Sequence, residues 1–218
     1  MANQLGTILK AMRVIETLAD SGPMGVSEMS RRLGMHKSVV SRVLSTLKSH
    51  SFVRTLPDSG HYDLGLRVFE LGQTVIERLP FRKMVIGHVE GLARETGETA
   101  YAGTFNHGEV VYLYDAVSRQ AIRLGPRAGL RRAPWRDALG KVILAFQEER
   151  MVLADLRKDR GTRRAGLPDA ACFHRDMRRI RRRGYAVERD SDGEGVVSVA
   201  APIRGYTGQV TAAIGVGG

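Results

Sequence analysis

Lys37, Ser38, Ser41, Arg42 and Ser45 put two cations and three hydroxyls into nine residues, at steps that return to one face of a helix. These side chains suit hydrogen bonding to base edges and phosphate oxygens rather than proton transfer or nucleophilic attack. Val40, Val43, Leu44 and Leu47 interleave with them at i, i+3, i+4 and i+7, so the same segment has an apolar stripe that must face a core. No carboxylate occurs between Lys37 and Thr55, and nothing there repels a polyanion. A solvated helix surface can carry the same residues, so the flanking elements must decide between the two readings.

Those elements are distinctive. Ser27 is a candidate N-cap for a short helix over Glu28–Leu33, and Gly34 can end that helix in a left-handed conformation. A second helix is expected from about His36 to His50. Ser51–Leu56 and His61–Leu64 then read as strands joined by the turn formers Pro57-Asp58-Ser59-Gly60. Thr7–Ala19 adds an upstream helix with Ile8, Met12, Ile15 and Leu18 on one side, ended by Gly22-Pro23. Three helices and a hairpin in this order form a winged helix-turn-helix over residues 1–64, a device for laying a helix in a DNA major groove. Arg54 and His61 of the hairpin, and Ser27 at the head of the first short helix, join the five residues above as candidate DNA contacts.

Composition sets bounds on the rest. The chain has 218 residues, a formal charge of +11 and one cysteine, Cys172, which fits a reducing cytoplasm and excludes an internal disulfide. No apolar run is long enough to span a bilayer and no signal-peptide core opens the chain. A basic balance suits an anionic partner. Residues 1–79 carry 10 Lys+Arg against 7 Asp+Glu, whereas residues 80–218 carry 24 against 16, so most of the excess lies outside the hairpin-bearing module. The arginine pairs and triplet between Arg131 and Arg183 are expected to form solvated helix surface. Catalytic signatures are missing: the six histidines have no HExxH spacing, and neither GxSxG nor GxxxxGK occurs. Asp190, Asp192 and Glu194 are read as an exposed acidic loop. No enzyme activity, cofactor or metal is expected.

Residues 65–79 read as a linker helix broken at Pro80, which is taken as a domain boundary. Beyond it, residues 80–218 alternate helices and strands: a helix at Phe81–Glu95, strands at Thr99–Phe105 and Val110–Ala116 joined by Asn106-His107-Gly108, and a strand at Ala121–Leu124. Helices follow at Asp137–Phe146, Glu148–Leu156 and Phe173–Arg183, with final strands at Val196–Ile203 and Thr211–Val216. The pattern predicts an α+β domain with an antiparallel sheet covered by helices.

Read together, LADSGPMGVSEMSRRLGMHKSVVSRVLSTLKSHSFVR, the YDLG after the wing, TGET at 96–99, EVVYL at 109–113, GK at 140–141, RRRGYAV at 181–187 and VAAPI at 199–203 resemble the isocitrate lyase regulator (IclR) family of transcriptional regulators. The resemblance spans nearly the whole chain. It implies an N-terminal winged helix-turn-helix on a double-stranded DNA operator, a helical linker and a C-terminal GAF-like antiparallel-sheet domain that binds a small organic or aromatic acid. It also implies a homodimer that pairs further into a tetramer. The implied effector contacts are the Ala138 and Leu139 amides before GK, Glu188 after GYA, Ser198 before AAP, and Gly215 and Gly217 on the last strand, with Trp135 at the pocket's edge. Glycines at 215 and 217 depart from the serines usual there, and the last helix of the family pattern has no counterpart before Gly218. Two rival readings stay open: a regulator whose second domain only oligomerises, and an enzyme with a regulator-like N-terminal domain.

Overall fold

The computed structural model describes residues 6–147, 169–189 and 195–218. They fall into two compact units, 1–79 and 80–218, each with its own core.

In the first unit, α1 (Gly6–Ser21), α2 (Val26–Leu33) and α3 (Lys37–Ser49) precede a hairpin of β1 (Val53–Thr55) and β2 (Tyr62–Leu64). Val14, Leu18, Met29, Val40, Leu44 and Val53 are almost wholly buried together, so the apolar stripe of α3 does face inward. Gly34 takes φ 62° and closes α2 as a left-handed C-cap. The start of α2 differs from expectation. Gly25, in extended conformation, is the N-cap, and Ser27 lies inside the first turn without a capping bond. The cause is tertiary: Met24 and Tyr62 exchange backbone hydrogen bonds of 3.0 and 2.9 Å, which pins the chain beside the wing and starts the helix there. α4 (Leu66–Glu77) then leaves the hairpin through Gly65, where a Cβ would lie 2.1 Å from the Ser51 carbonyl oxygen. α4 has no buried residue.

The second unit opens with α5 (Pro80–Thr96), in which Pro80 is the first helical residue, a position that needs no N–H. A six-stranded sheet follows, built from β3 (Thr99–Asn106), β4 (Glu109–Ala116), β5 (Arg131–Arg132), β6 (Ala186–Arg189), β7 (Val197–Arg204) and β8 (Val210–Gly217), in the order β5-β4-β3-β8-β7-β6 with antiparallel pairing throughout. His107 and Gly108, both at positive φ, make the tight β3–β4 turn. Residues alternate between two faces. Ala100, Ala102, Tyr114 and Ile214 pack toward Val85 and Val89 of α5, while Tyr101, Tyr112, Ala186, Ala200 and Ala213 pack toward α6 (Ala138–Phe146) and α7 (Ala170–Arg183).

Two expectations fail here. Ala121–Leu124 is not a strand: Ile122 is 93% exposed, and the segment is held by the Leu124 carbonyl accepting from Thr99 Oγ1 at 2.7 Å. The strand flanking β4 is instead Arg131–Arg132, whose approach is prepared by the Tyr112 and Gly129 exchange of backbone bonds with Leu130 and Tyr112. Strand β6 was not expected at all. The anticipated helix at 148–156 and the acidic loop at 190–194 lie outside the described residues.

Candidate DNA interface and effector site

The helix-turn-helix presents α3 with its polar side free. Lys37, Ser38, Ser41, Arg42 and Ser45 are all exposed, and none forms a side-chain hydrogen bond or ion pair among the described residues. The turn that aims this helix is fixed from within: Ser30 Oγ donates to the Met35 carbonyl at 2.5 Å, and the Met35 amide donates to the Ser30 carbonyl at 3.1 Å. Ser27 is exposed on α2. On the wing, Arg54 is engaged rather than free. Its Nη2 lies 2.8 Å from Asp63 Oδ2 across the hairpin, and this bond holds the Asp63 carboxyl below its ordinary value despite some burial. His61 is exposed beside Gly25, where a Cβ would lie 3.6 Å from its ring.

The second site is built on the sheet face under α6. Tyr101 and Tyr112 are 1% exposed and meet edge to face with ring centroids 5.4 Å apart. Tyr112 donates its hydroxyl to Asp137 Oδ2, and the other oxygen of Asp137 caps α6 by accepting from Gly140 N at 2.8 Å. Arg132 Nε stands 4.0 Å from the same carboxylate. Arg127 lies over both rings, its Cζ 5.9 Å from the Tyr101 centroid and 5.6 Å from that of Tyr112. Burial, with the Asp137 charge adding to it, pushes the Tyr101 hydroxyl up to about 12 and Tyr112 higher still, so both phenols stay protonated donors.

This cluster joins the two halves of the implied effector set. Tyr101 covers Gly215 and Gly217, while Tyr112 and Asp137 hold the start of α6, where the Ala138 and Leu139 amides have no intrahelical acceptor. A Cβ at 215 would sit 2.9 Å from Tyr101 Cε2, and one at 217 would sit 3.2 Å from its hydroxyl. The two glycines therefore make room for the tyrosine ring. Ser198 pairs in register with Gly217 and, on its other side, with Glu188. Glu188 is ion-paired with Lys141, both largely buried, so its charge is already compensated. Trp135 is 6% exposed, and its Nε1, like Arg127 Nε, is a buried donor with no acceptor among the described residues.

Sequence reasoning missed Tyr101, Tyr112, Arg127 and Asp137. The alternation in β3 and β4 could have placed the two tyrosines on one face. Nothing local signals that Arg127, in an irregular loop, is drawn onto them by Asp115, which accepts from the amides of Arg127 and Ala128. Among the described residues no cluster of metal-ligating side chains occurs, and no helix is long and apolar enough to cross a membrane.

Comparison with known proteins agrees with this architecture. Residues 7–57 match the IclR helix-turn-helix domain, and residues 73–218 match the bacterial transcriptional regulator IclR C-terminal domain. The glycerol operon regulatory protein of Streptomyces griseus is 30% identical over 224 residues, covering 100% of this chain and 86% of its own. The HTH-type transcriptional regulator KdgR of Escherichia coli (strain K12) is 27% identical over 217 residues, 98% of this chain and 82% of its own. Among solved structures, the Thermotoga maritima IclR superposes with a TM-score of 0.72 at 26% identity, covering 99% and 88% of the two chains. An IclR homologue from Microbacterium hydrocarbonoxydans in complex with 4-hydroxybenzoate reaches 0.81 at 23% identity, covering 97% and 88%. The winged module, the α+β effector unit and both domain matches place the chain in the IclR family of bacterial transcriptional regulators.

Proposed function

We propose that this regulator binds its operator as a homodimer through the polar face of α3 and is switched by a small organic anion bound over the sheet of the second unit. The free face of α3 carries the DNA assignment: Lys37, Ser38, Ser41, Arg42 and Ser45 point away from a buried stripe and are not spent on other side chains. In this reading Arg42 and the serines meet base edges, Lys37 meets phosphate, and Ser27 and His61 add backbone contacts. Arg54 first braces the wing through Asp63 and reaches phosphate only with its remaining donors. Exposed Ile8, Leu9 and Met12 on α1, with Leu66, Phe69 and Val75 on α4, support self-association, because apolar side chains so arrayed gain by being covered. A further pairing to a tetramer is part of the same proposal.

For the effector, the orphaned donors Arg127 Nε and Trp135 Nε1 favour an acceptor-rich ligand such as a carboxylate, with Ser198 and the Ala138 and Leu139 amides around it. The 4-hydroxybenzoate held by the Microbacterium homologue is an acid of this class. Such a ligand shifts operator affinity only through its differential affinity for the two states of the protein. The test is selection of bound genomic fragments, followed by titration of the recovered operator with wild type and Arg42→Ala. We expect the variant to lose about 1–3 kcal/mol of specific affinity. Unchanged affinity in a folded variant refutes the α3 assignment.

A further inference from the structure

The strongest unassigned feature is the outer face of α7. At roughly 100° per residue, Met177 and Ile180 mark the side of the helix that packs on the core, and both are about 5% exposed or less. Arg175, Arg178, Arg179 and Arg182 fan over about 100° on the opposite side, and all four are exposed. Arg179 is matched by Asp176 at 3.0 Å, but Arg175, Arg178 and Arg182 make no ion pair among the described residues. Favourable interaction with the helix dipole accounts for cations in the last turn, Arg181–Arg183, but not for Arg175 and Arg178 further back. Like charges three and four residues apart repel, so this helix tolerates a standing cost unless an anion screens it.

We propose that the Arg175–Arg178–Arg182 row is a second, sequence-independent contact to duplex DNA, binding backbone phosphates outside the footprint of the winged module. The inference rests on the chain being a DNA-binding regulator. The same molecule that carries the row is delivered to a polyanion by α3, and tethering makes even a weak second contact effective. A row about 10 Å long faces one duplex charge per roughly 1.7 Å of axis, so three guanidiniums have phosphates within reach. Guanidinium suits this role, since its planar fork grips phosphate oxygens without base selectivity.

The test uses the full chain and the triple variant Arg175→Gln, Arg178→Gln, Arg182→Gln, titrated with a long random-sequence duplex between about 50 and 200 mM salt. Each lost phosphate contact lowers the slope of log affinity against log salt by about 0.9, so the triple variant should lose a slope of roughly 2.7. A duplex trimmed to the operator core should show no difference between the two proteins. The ratio of operator to random-sequence affinity should be unchanged. The corresponding Arg→Lys triple should keep the slope, since the charges remain. An unchanged slope in the Gln triple overturns the proposal, and so does a lysine variant as impaired as the glutamine one, which would point to packing. Binding of the wild type to phosphatidylserine vesicles with an unchanged DNA slope would assign the row to a lipid surface and overturn it equally. Failure of the α3 assignment is separable, because it appears as Arg42→Ala retaining operator affinity whatever the α7 slope.

Discussion

Asp137 is a single carboxylate with two structural duties, and removing it should have a cost that can be divided. One oxygen caps α6 through Gly140 N, and the other accepts the buried Tyr112 hydroxyl. Loss of an N-cap costs about 0.5–2 kcal/mol. A buried hydroxyl left without its acceptor costs about 1–3 kcal/mol. Asp137→Ala should therefore destabilise the second unit by on the order of 2–4 kcal/mol. Tyr112→Phe removes the hydroxyl but leaves the cap, and should cost about 1 kcal/mol. Once Tyr112 is phenylalanine, Asp137→Ala loses only the cap, so the double variant should fall short of additivity by about 1–2 kcal/mol. Trp135 is the only tryptophan in the chain and lies two residues from Asp137. Urea unfolding followed by its emission reports on the effector unit without mixing in the winged module, as a helix signal would. An Asp137→Ala cost below about 0.5 kcal/mol, or strict additivity in the double variant, would refute the two-duty assignment.

Other outcomes follow from the same geometry. Gly140→Ala places a Cβ 2.2 Å from the Pro134 carbonyl oxygen and 2.5 Å from its Cα, backbone atoms that cannot swing aside. The Trp135 transition should fall by the upper end of roughly 1–3 kcal/mol typical of overpacking. Gly87→Ala in α5 meets open space and should instead raise the stability of the unit by roughly 0.5–1 kcal/mol, read in the same assay. Tyr101 has its folded-state value raised from 10 to about 12, so the neutral phenol's contribution is complete below pH 10 and is lost as pH rises toward 12. Ultraviolet titration should show Tyr101 and Tyr112 ionising only beyond the range of the exposed tyrosines, together with alkaline unfolding. Ionisation of every tyrosine near pH 10 in folded protein would contradict their burial.

Much of the first unit was legible because its signals are local. The α3 stripe of Val40, Val43 and Leu44 repeats at helical spacing, and Gly34 stands where a left-handed residue is needed. The N-cap was misplaced by two residues because the bond that fixes it joins Met24 to Tyr62 in the wing. In the second unit the long strands follow from alternation, but β5 and β6 are edge strands of 2 and 4 residues, too short to generate a period. The segment Ala121–Leu124 has strand-like composition, yet it is tied down by Thr99 Oγ1 donating to the Leu124 carbonyl, while the Ser118 and Gln120 side chains just before it donate to the Gly97 carbonyl. The candidate site was half legible. Family resemblance implied Ser198, Glu188 and the two glycines, whereas the tyrosine that occupies the space above those glycines sits more than a hundred residues earlier in the chain. That the Glu188 charge is compensated is visible only once Lys141 is seen beside it.

The sheet's wiring bears on how the protein is made. β8, the last of the described strands in chain order, lies between β3 and β7 and joins the early half of the sheet to the late half. While the ribosome is still upstream of Val210, β3 has only one strand neighbour, and the β6–β7 pair packs on α6 but has no strand to join it to β3. Assembly must wait for a pairing across more than a hundred residues, a slow kind of closure. The winged module, whose contacts are short-range, can finish first. Nascent chains thus pass through an interval in which a completed DNA-binding head is followed by unpaired strand edges. A nonsense or frameshift lesion upstream of Val210 should yield aggregation rather than an effector-blind regulator.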